Sequence, residues 1–337
     1  MSKLHLLPID ERKLFFDSAA SASGLDFTIL EKDFWVVWTL DRLFSIQELK
    51  SHLTFKGGTS LSKVYRIIER FSEDIDVSIE KDFLGFDREK DPEKALSKKK
   101  QRAAIEALGN ACSEYVKGKL LMALRDSIAA DLGTTEGWNI VFDQNDPDGQ
   151  TLLFEYPAIE KRAGYIPQSV KIEMGARSEH WPVTEHPVRS YVKEALQDKV
   201  TEPAITVKVL KAERTFWEKA TILHQYAHLP ESKSLPRRVS RHFYDFFCLL
   251  NSGIKAQALT EISLLERVAM HKSIYFASGW ANYETARKGT LKLSPLPTIQ
   301  EGLKEDFDLM SPMFFGSIPD WQSILESIRQ FEAEFNA

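Results

Sequence analysis

The sequence has little cysteine and no long hydrophobic run. Cys112 and Cys248 are the only two cysteines among 337 residues. Neither lies in a CxxC or Cys/His pattern, so a disulfide framework or a zinc knuckle is not expected. Charged residues interrupt every apolar stretch before the roughly 18 residues that a membrane helix needs, and the N-terminus, MSKLHLLPIDERKLFF, lacks a signal-peptide core. We therefore expect a cytoplasmic protein with no membrane partner.

An excess of positive charge is also missing. The 44 lysines and arginines are outnumbered by 49 acidic residues, for a net charge of −5. A uniformly basic surface is thereby excluded, and any contact with nucleic acid must be local. The chain contains no internal repeat, low-complexity segment, Walker A lysine or serine-hydrolase elbow. Its composition, 43% hydrophobic and 28% charged, is that of an ordinary folded protein.

Hydrophobic periodicity predicts two helices, a sheet and further helices in the N-terminal part. Apolar residues at helical spacing predict two helices between Pro8 and Phe44, with Gly24 as the stop between them. Pro92 opens a long helical stretch that runs to Leu132. Three β-like segments follow within residues 138–177 and are expected to extend a sheet that begins at residue 51.

The C-terminal part reads as helical. Residues 178–203, rich in proline and histidine, are interpreted as a loop, and the segments after them, from VKVLKAERTFWEKATILHQYAH onward, follow helical spacing. The fold class is thus α+β, a mixed sheet with flanking helices and a mainly helical C-terminal domain. We expect a sheet domain with N-terminal helices over residues 1–200 and a helical domain over residues 201–337.

A glycine turn in the stretch FKGGTSLSKVYRIIERFSEDIDVSI, residues 55–79, indicates a phosphate-binding element. It follows a short strand and precedes a helix predicted from Ser60 to Arg70. Because Gly57 and Gly58 lack Cβ atoms, their backbone N–H groups can approach a phosphate closely. The helix that Thr59 and Ser60 open would present its positive end to the same anion.

Two aspartates close the same stretch. Asp74 and Asp76 are two residues apart on a predicted strand, so their carboxylates point to one face and can hold one or two hard cations. Mg²⁺, or Mn²⁺ in its place, is the natural guest, since it takes one or two carboxylates together with substrate phosphates. An Asp-x-Asp alone is more often a feature of a solvated strand.

The order of these motifs is more specific than any one of them. A strand, GG[T/S], a helix and a hydrophobic-flanked Asp-x-Asp resemble the polymerase-β-like nucleotidyltransferase superfamily. KGGTSLSKVY and ERFSEDIDVSI, followed by VKIEMGAR, ERTFWEKATILH and RHFYDFF, resemble the AbiEii toxin family of abortive-infection and toxin–antitoxin systems. LEKDFW near the N-terminus and HKSIYFASGWANY with LSPLP near the C-terminus resemble it too. Most of the chain is covered.

Glu173 is the candidate for a third carboxylate. It lies between apolar neighbours on a strand placed in the same sheet, where nucleotidyltransferases use such a group to assist the metal pair or to deprotonate the acceptor hydroxyl. A surface carboxylate paired with Lys171 or Arg177 is an equally good interpretation.

Lys219 and Asp245 are the candidates in the helical part. The resemblance implies that Lys219 contacts the nucleotide phosphates, although a helix lysine is usually solvated. It also implies that Asp245, which stands among aromatic residues in RHFYDFF, belongs to the active site. The structural alternative for Asp245 is a buried ion pair with Arg241 or Lys219.

Three arginines and three histidines complete the list of candidates. The arginines, Arg237, Arg238 and Arg241, either line a route for polynucleotide phosphates or form an exposed helix start. The histidines are interpreted as ordinary surface or core residues, because no HExxH glutamate accompanies them; they are His224, His228 and His242.

The resemblance implies a metal-dependent nucleotidyltransferase toxin. It would transfer a nucleotide from an NTP to an RNA acceptor, with the 3′ end of tRNA as the leading candidate, and thereby arrest growth, including in phage defence. An antitoxin encoded nearby would restrain it. The alternatives are an enzyme of the same fold that modifies a protein or small molecule, and a nucleotide-binding module without activity.

Overall fold

The chain folds into two compact units. The structure, a computed structural model, describes residues 3–160, 167–202 and 205–337. The first unit comprises Met1–Val64 with Ser72–Val209, and the second comprises Tyr65–Phe71 with Leu210–Ala337. The domain boundary expected near residue 200 stays a prediction.

The first unit begins with the two expected helices, α1 (Ile9–Ser23) and α2 (Phe27–Phe44). Gly24 ends α1 in the left-handed conformation, with φ of 75°, which glycine adopts without steric penalty. Asp26 begins α2, because its carboxylate accepts a hydrogen bond from the backbone N–H of Thr28 at 2.7 Å. The prediction for this segment is confirmed.

A seven-stranded mixed sheet occupies the centre of the first unit. Its strands lie in the order β3-β4-β5-β2-β1-β7-β6. Their bounds are β1 (Leu53–Lys56), β2 (Asp74–Ile79), β3 (Asn139–Phe142), β4 (Thr151–Glu155), β5 (Val170–Gly175), β6 (Val183–Val188) and β7 (Ile205–Leu210). Strand β2 runs antiparallel to β1 and parallel to β5, and β4 joins β5 to β3 by antiparallel pairing. The three strands expected within residues 138–177 therefore do extend the sheet, and the α+β prediction is confirmed.

Two strands and one helix were not expected. Residues 178–203 contain β6 and the short helix α6 (Tyr191–Leu196) instead of a continuous loop. Strand β7 occupies a segment interpreted as helical, because a short apolar run does not distinguish strand from helix by period. Parallel pairing with β1, through Phe55 and Val209, makes this segment a strand.

The remaining helices of the first unit differ from expectation mainly at their ends. Helix α3 (Gly57–Lys63) starts at the glycines and stops well before Arg70, so the predicted helix from Ser60 to Arg70 was wrong in both bounds. The long helical stretch begins at α4 (Lys98–Tyr115), because Pro92–Lys94 forms a separate 3₁₀ turn. It continues through a π-helical turn, Val116–Leu120, into α5 (Leu121–Leu132).

Aromatic side chains of α2 build the core of the first unit. The Trp35 ring stacks on that of Tyr156 with centroids 5.7 Å apart, and the Trp38 ring stacks on that of Phe154 at the same separation. Trp35 is fully buried and Trp38 nearly so. Such pairs contribute about 0.5–1.5 kcal/mol beyond their buried area, so α2 is held firmly against this end of the sheet.

The second unit is helical, as predicted. Its helices are α7 (Ala212–Tyr226), α8 (Ser240–Leu250), α9 (Ile254–Thr260), α10 (Ser263–Tyr275), α11 (Pro297–Asp308) and α12 (Trp321–Asn336). Phe216 of α7 contacts Phe246 of α8 and Phe331 of α12, with ring centroids 4.9 and 5.6 Å apart. Across the described residues, the helices are too short or too polar to span a membrane.

Candidate active site

Three carboxylates share one face of two neighbouring strands in the first unit. Asp74 and Asp76 alternate with Ile75 on β2, so both point away from the apolar side of the sheet. The parallel register places Glu173 of β5 directly beside Asp76. The prediction that Glu173 lies on the same sheet is confirmed. Its alternative contact also exists, because the ammonium group of Lys171 touches the Glu173 carboxylate.

The electrostatics of this face disfavour a full set of negative charges. Burial raises the pKa of Asp76 to about 7; Lys56 opposes this rise, whereas Glu173 and Asp74 add to it. The two neighbouring carboxylates and the burial together disfavour the charged form of Asp76, and a cation bound here would favour it.

The glycine turn lies directly against Asp76. Gly57 has φ of 80°, and a Cβ atom built on it would stand 2.0 Å from Oδ2 of Asp76. No side chain can occupy that space, so glycine is required for both its conformation and its size. Thr59 and Ser60 are buried, and their hydroxyls donate to the backbone oxygens of Asp74, at 2.5 Å, and of Gly57, at 2.8 Å. The Thr59 hydroxyl therefore holds the turn against β2, and the Ser60 hydroxyl stabilises the turn itself.

The residues of this face fit a hard cation by donor type. Carboxylate oxygens are the ligands that Mg²⁺ and Mn²⁺ prefer. Within the described ranges, however, no three His, Cys, Asp or Glu side chains are already arranged as metal ligands. Metal binding by Asp74 and Asp76 therefore stays a prediction, as do the nucleotide contacts of Gly57 and Gly58.

Lys219 and Asp245 meet in the second unit, where they form one buried cluster with Arg70. The Lys219 ammonium group contacts Oδ2 of Asp245 at 2.7 Å. The Arg70 guanidinium donates to both carboxylate oxygens, at 2.8 and 2.9 Å. Asp245 is completely buried. Although burial alone would raise the pKa of Asp245, Arg70 and Lys219 hold it well below its usual range.

This geometry limits what Asp245 can do. Both of its oxygens are engaged, so the ion pair with Lys219 named as the structural alternative is present, while the suggested pair with Arg241 is replaced by Arg70. Lys219 donates a further hydrogen bond to Nδ1 of His242 at 3.0 Å. Burial and the neighbouring Lys219 lower the pKa of His242, which is therefore neutral and accepts at Nδ1.

The other candidates have mixed surroundings. Arg237 is exposed and Arg241 half-buried. Arg238 adopts a left-handed backbone, with φ of 64°, and its N–H donates to Asp306 at 2.6 Å. A role for any of the three in binding RNA stays a prediction.

His224 of α7 and His228, which follows the helix, have structural partners. Nδ1 of His224 accepts a hydrogen bond from the N–H of Lys292 at 3.0 Å, so Nε2 carries the proton and donates to the carbonyl of Asn282, also at 3.0 Å. His228 donates through Nδ1 to the carbonyl of His224 at 2.9 Å. These ring nitrogens make hydrogen bonds to the protein backbone, as those of ordinary core and surface histidines do. This agrees with the interpretation from sequence.

Sequence reasoning missed five charged residues that the structure links to these candidates. Arg70 pairs with Asp245. Lys32 of α2 pairs with Glu73, just before the Asp-x-Asp strand, and Asp33 of α2 pairs with Lys63 at the end of α3. A usable signal was present for α2, because consecutive charges in LEKDFW interrupt a helix that is otherwise apolar. Their partners are remote in sequence and carry no such signal.

The comparisons with known proteins identify the class. A family profile described as "Nucleotidyl transferase AbiEii toxin, Type IV TA system" matches residues 38–330. The structure is similar to that of MenT4, a nucleotidyltransferase toxin from Mycobacterium tuberculosis H37Rv, at 15% identity and a TM-score of 0.51, covering 94% of this chain and 88% of that one. JHP933 from Helicobacter pylori matches at 13% identity and a TM-score of 0.34, covering 93% of this chain and 98% of that one. No curated protein matches the sequence.

These findings define a nucleotidyltransferase. The chain belongs to the AbiEii family of nucleotidyl transferase toxins of type IV toxin–antitoxin systems, since the profile spans most of its length. The likeness to MenT4 supports the fold. The resemblance recognised in the sequence is confirmed.

Proposed function

We propose that the protein is a metal-dependent enzyme that transfers a nucleotide from an NTP to an RNA, with the 3′ end of tRNA as the acceptor, and that this transfer arrests growth. A cognate antitoxin would restrain it. The proposal places the protein in the cytoplasm and in defence against phage. One observation carries it above all others: Asp74, Asp76 and Glu173 share one face, with a glycine turn in contact with it.

The residues of this face divide the work of the reaction. Mg²⁺ or Mn²⁺, held by Asp74 and Asp76, would neutralise charge on the triphosphate. Gly57 and Gly58 would offer backbone N–H groups to a phosphate. Glu173 would accept the proton of the acceptor hydroxyl as its oxygen attacks the α-phosphorus; the bond to the β-phosphate oxygen then breaks and pyrophosphate leaves.

Residues of the helical unit would supply positive charge. We assign Lys219 to the phosphates, because its ammonium group has three N–H donors and the contacts with Asp245 and His242 use two of them. Asp245, fully engaged by Arg70 and Lys219, acts in this proposal by holding Lys219 and does not touch substrate. Arg237, Arg238 and Arg241 would contact polynucleotide phosphates.

The test is an incorporation assay. Purified protein is incubated with total RNA, Mg²⁺ and each α-labelled NTP in turn, beside an Asp74→Asn, Asp76→Asn double variant. Label entering a small RNA with the intact protein alone supports the proposal, and removal of Mg²⁺ by EDTA should abolish it. Label entering protein instead would indicate a protein acceptor, and no incorporation under any NTP would refute the proposal.

A second comparison separates RNA from other acceptors. Neutralising Arg237, Arg238 and Arg241 together should weaken transfer to RNA and flatten its dependence on salt, because each phosphate contact contributes to that dependence. The rate with a small or protein acceptor would not change in this variant. Arg287→Gln, at an exposed position remote in sequence, serves as the control for the loss of a surface arginine, beside Arg241→Gln as the single-charge member of the test set.

A further inference from the structure

Two adjacent residues of α2 carry opposite charges into the interior of the first unit. Lys32 is 2% exposed and Asp33 is 1% exposed. Each pairs with a segment that leads into the candidate active site, and neither belongs to that site. The match to the family profile begins at residue 38, after both of them.

Lys32 joins the starts of the two strands that carry the carboxylates. Its ammonium group contacts the carboxylate of Glu73, the residue immediately before β2 and Asp74. The same ammonium group donates to the carbonyl oxygen of Pro167 at 2.8 Å. Pro167 lies just before β5, the strand of Glu173. One buried cation therefore links the entry to β2 with the entry to β5.

Asp33 holds the helix that follows the glycine turn. Its Oδ1 lies 2.7 Å from the ammonium group of Lys63, the last residue of α3. Its Oδ2 accepts a hydrogen bond from the backbone N–H of Tyr191 at 2.6 Å. The Lys63 ammonium group also lies 3.4 Å from the centre of the Tyr191 ring, a favourable cation–π contact. The far end of α3 is thus fixed, while its first residue, Gly57, lies against Asp76.

Burying four charges is a poor way to gain stability. Well-packed apolar residues of similar volume often stabilise a fold as much or more, whereas a buried pair imposes one particular geometry. In nucleotidyl transfer, a reacting group displaced by about 1 Å loses about 100-fold in rate. Buried ion pairs that fix the positions of Asp74, Asp76 and Glu173 would therefore benefit the reaction even if they add little stability.

We propose that Lys32 and Asp33 are positioning residues for nucleotidyl transfer. Lys32 fixes the relative position of β2 and β5, the two strands that carry the three carboxylates. Asp33 fixes the orientation of α3 and its glycine turn. Neither touches substrate. This inference rests on the proposed function for the roles of the carboxylates and the turn.

Paired variants test the proposal without leaving a buried charge alone. Lys32→Met with Glu73→Gln removes one pair, and Asp33→Asn with Lys63→Met removes the other. Each double variant should fold even where a single variant does not, because it removes both charges of an ion pair together. Hydrogen exchange in peptides covering residues 57–64 and 72–79 is measured together with kcat and KM for the NTP.

A matched control comes from the opposite end of α2. Asp131 of α5 accepts a hydrogen bond from Trp38 at 3.0 Å and pairs with Arg42 at 3.3 Å. Asp131 holds α2 in place as the other two pairs do, but its partners on α2 are Trp38 and Arg42, towards the other end of the helix from Lys32 and Asp33. Asp131→Asn should lower the melting temperature while kcat and exchange in the two peptides stay at wild-type values.

The expected result is local. The Lys32/Glu73 variant should exchange faster at residues 72–79 and the Asp33/Lys63 variant at residues 57–64, each with kcat lowered about tenfold or more and KM changed less than about threefold. A kcat within about twofold of wild type would overturn the proposal. So would faster exchange spread evenly over the sheet, with kcat following the melting temperature as in Asp131→Asn.

Failure of the proposed function gives a different pattern. If the wild-type protein transfers no nucleotide to any acceptor, the proposed function fails, and hydrogen exchange alone decides the present inference. Loss of protection confined to the expected peptide then supports positioning by Lys32 and Asp33. Unchanged or uniform exchange overturns it.

Discussion

Gly57→Ala is the sharpest perturbation of the candidate active site. The added Cβ would stand 2.0 Å from Oδ2, 2.7 Å from Cγ and 2.9 Å from Cβ of Asp76. Non-bonded carbon contacts are comfortable only near about 3.5 Å, so the Asp76 side chain must retreat by about 1 Å or more. The substitution therefore moves a candidate metal ligand without changing its charge.

The size of the effect follows from two contributions. An L residue in the left-handed conformation that Gly57 adopts, with φ of 80°, costs about 1–2 kcal/mol. Forcing Asp76 off its rotamer adds about 0.5–1.5 kcal/mol. We expect the free energy of unfolding to fall by about 2–3 kcal/mol, and the rate of nucleotidyl transfer to fall by about 100-fold, because a displacement of about 1 Å has that effect on positioned groups.

Gly24→Ala separates strain from displacement. Gly24 has φ of 75° and no heavy atom within 4 Å of an added Cβ, so its substitution carries the backbone strain alone. Urea denaturation should show a loss of about 1–2 kcal/mol with full transferase activity. If Gly57→Ala keeps a rate within about twofold of wild type, or if Gly24→Ala loses activity equally, the reasoning about Asp76 is refuted.

Three further predictions concern stability. Asp245→Asn leaves Arg70 and Lys219 buried without a counter-charge, so urea denaturation should show a loss of about 3–5 kcal/mol; a loss below about 1 kcal/mol would contradict the network. Burial raises the pKa of the Glu202 carboxyl to about 7, so the folded protein binds a proton that the unfolded chain releases near its ordinary value, and stability falls as pH rises from about 4.5 through 7. Glu202→Gln should reduce that fall in melting temperature between pH 5 and pH 8, and an unchanged pH profile would speak against it. His224→Phe should lower stability by about 1–3 kcal/mol because it removes the hydrogen bonds of the buried imidazole with the Lys292 N–H and the Asn282 carbonyl, while a zinc-selective chelator should leave the wild-type melting temperature unchanged; a drop would revive a metal role.

The Asp-x-Asp strand shows how far local pattern reaches. Alternation of apolar and acidic residues predicts a strand with Asp74 and Asp76 on one face, and the structure has that strand. The same alternation places Glu173 on a strand. It does not say which residue of β2 stands beside Glu173. The register with Asp76 arises from pairing between segments remote in sequence.

Errors occurred where tertiary pairing overrides local preference. The run ITVKVL becomes β7 because β1 offers it an edge, although its period is ambiguous. Helix α3 ends at Lys63 instead of near Arg70, and Arg70 belongs to the second unit with Asp245. The residues around Arg70 in the sequence do not indicate that it pairs with Asp245.

The sequence by itself determined the family and the α+β class and named the candidate residues of the site, because period, glycine placement and motif order are local properties of a chain. Only the tertiary structure decided which charges meet. It engages both oxygens of Asp245, sets Gly57 against Asp76, and joins Lys32 to the residue before β2 and Asp33 to the end of α3. The physical reason is that burial makes each charge depend on its partner, and those partners lie far apart along the chain.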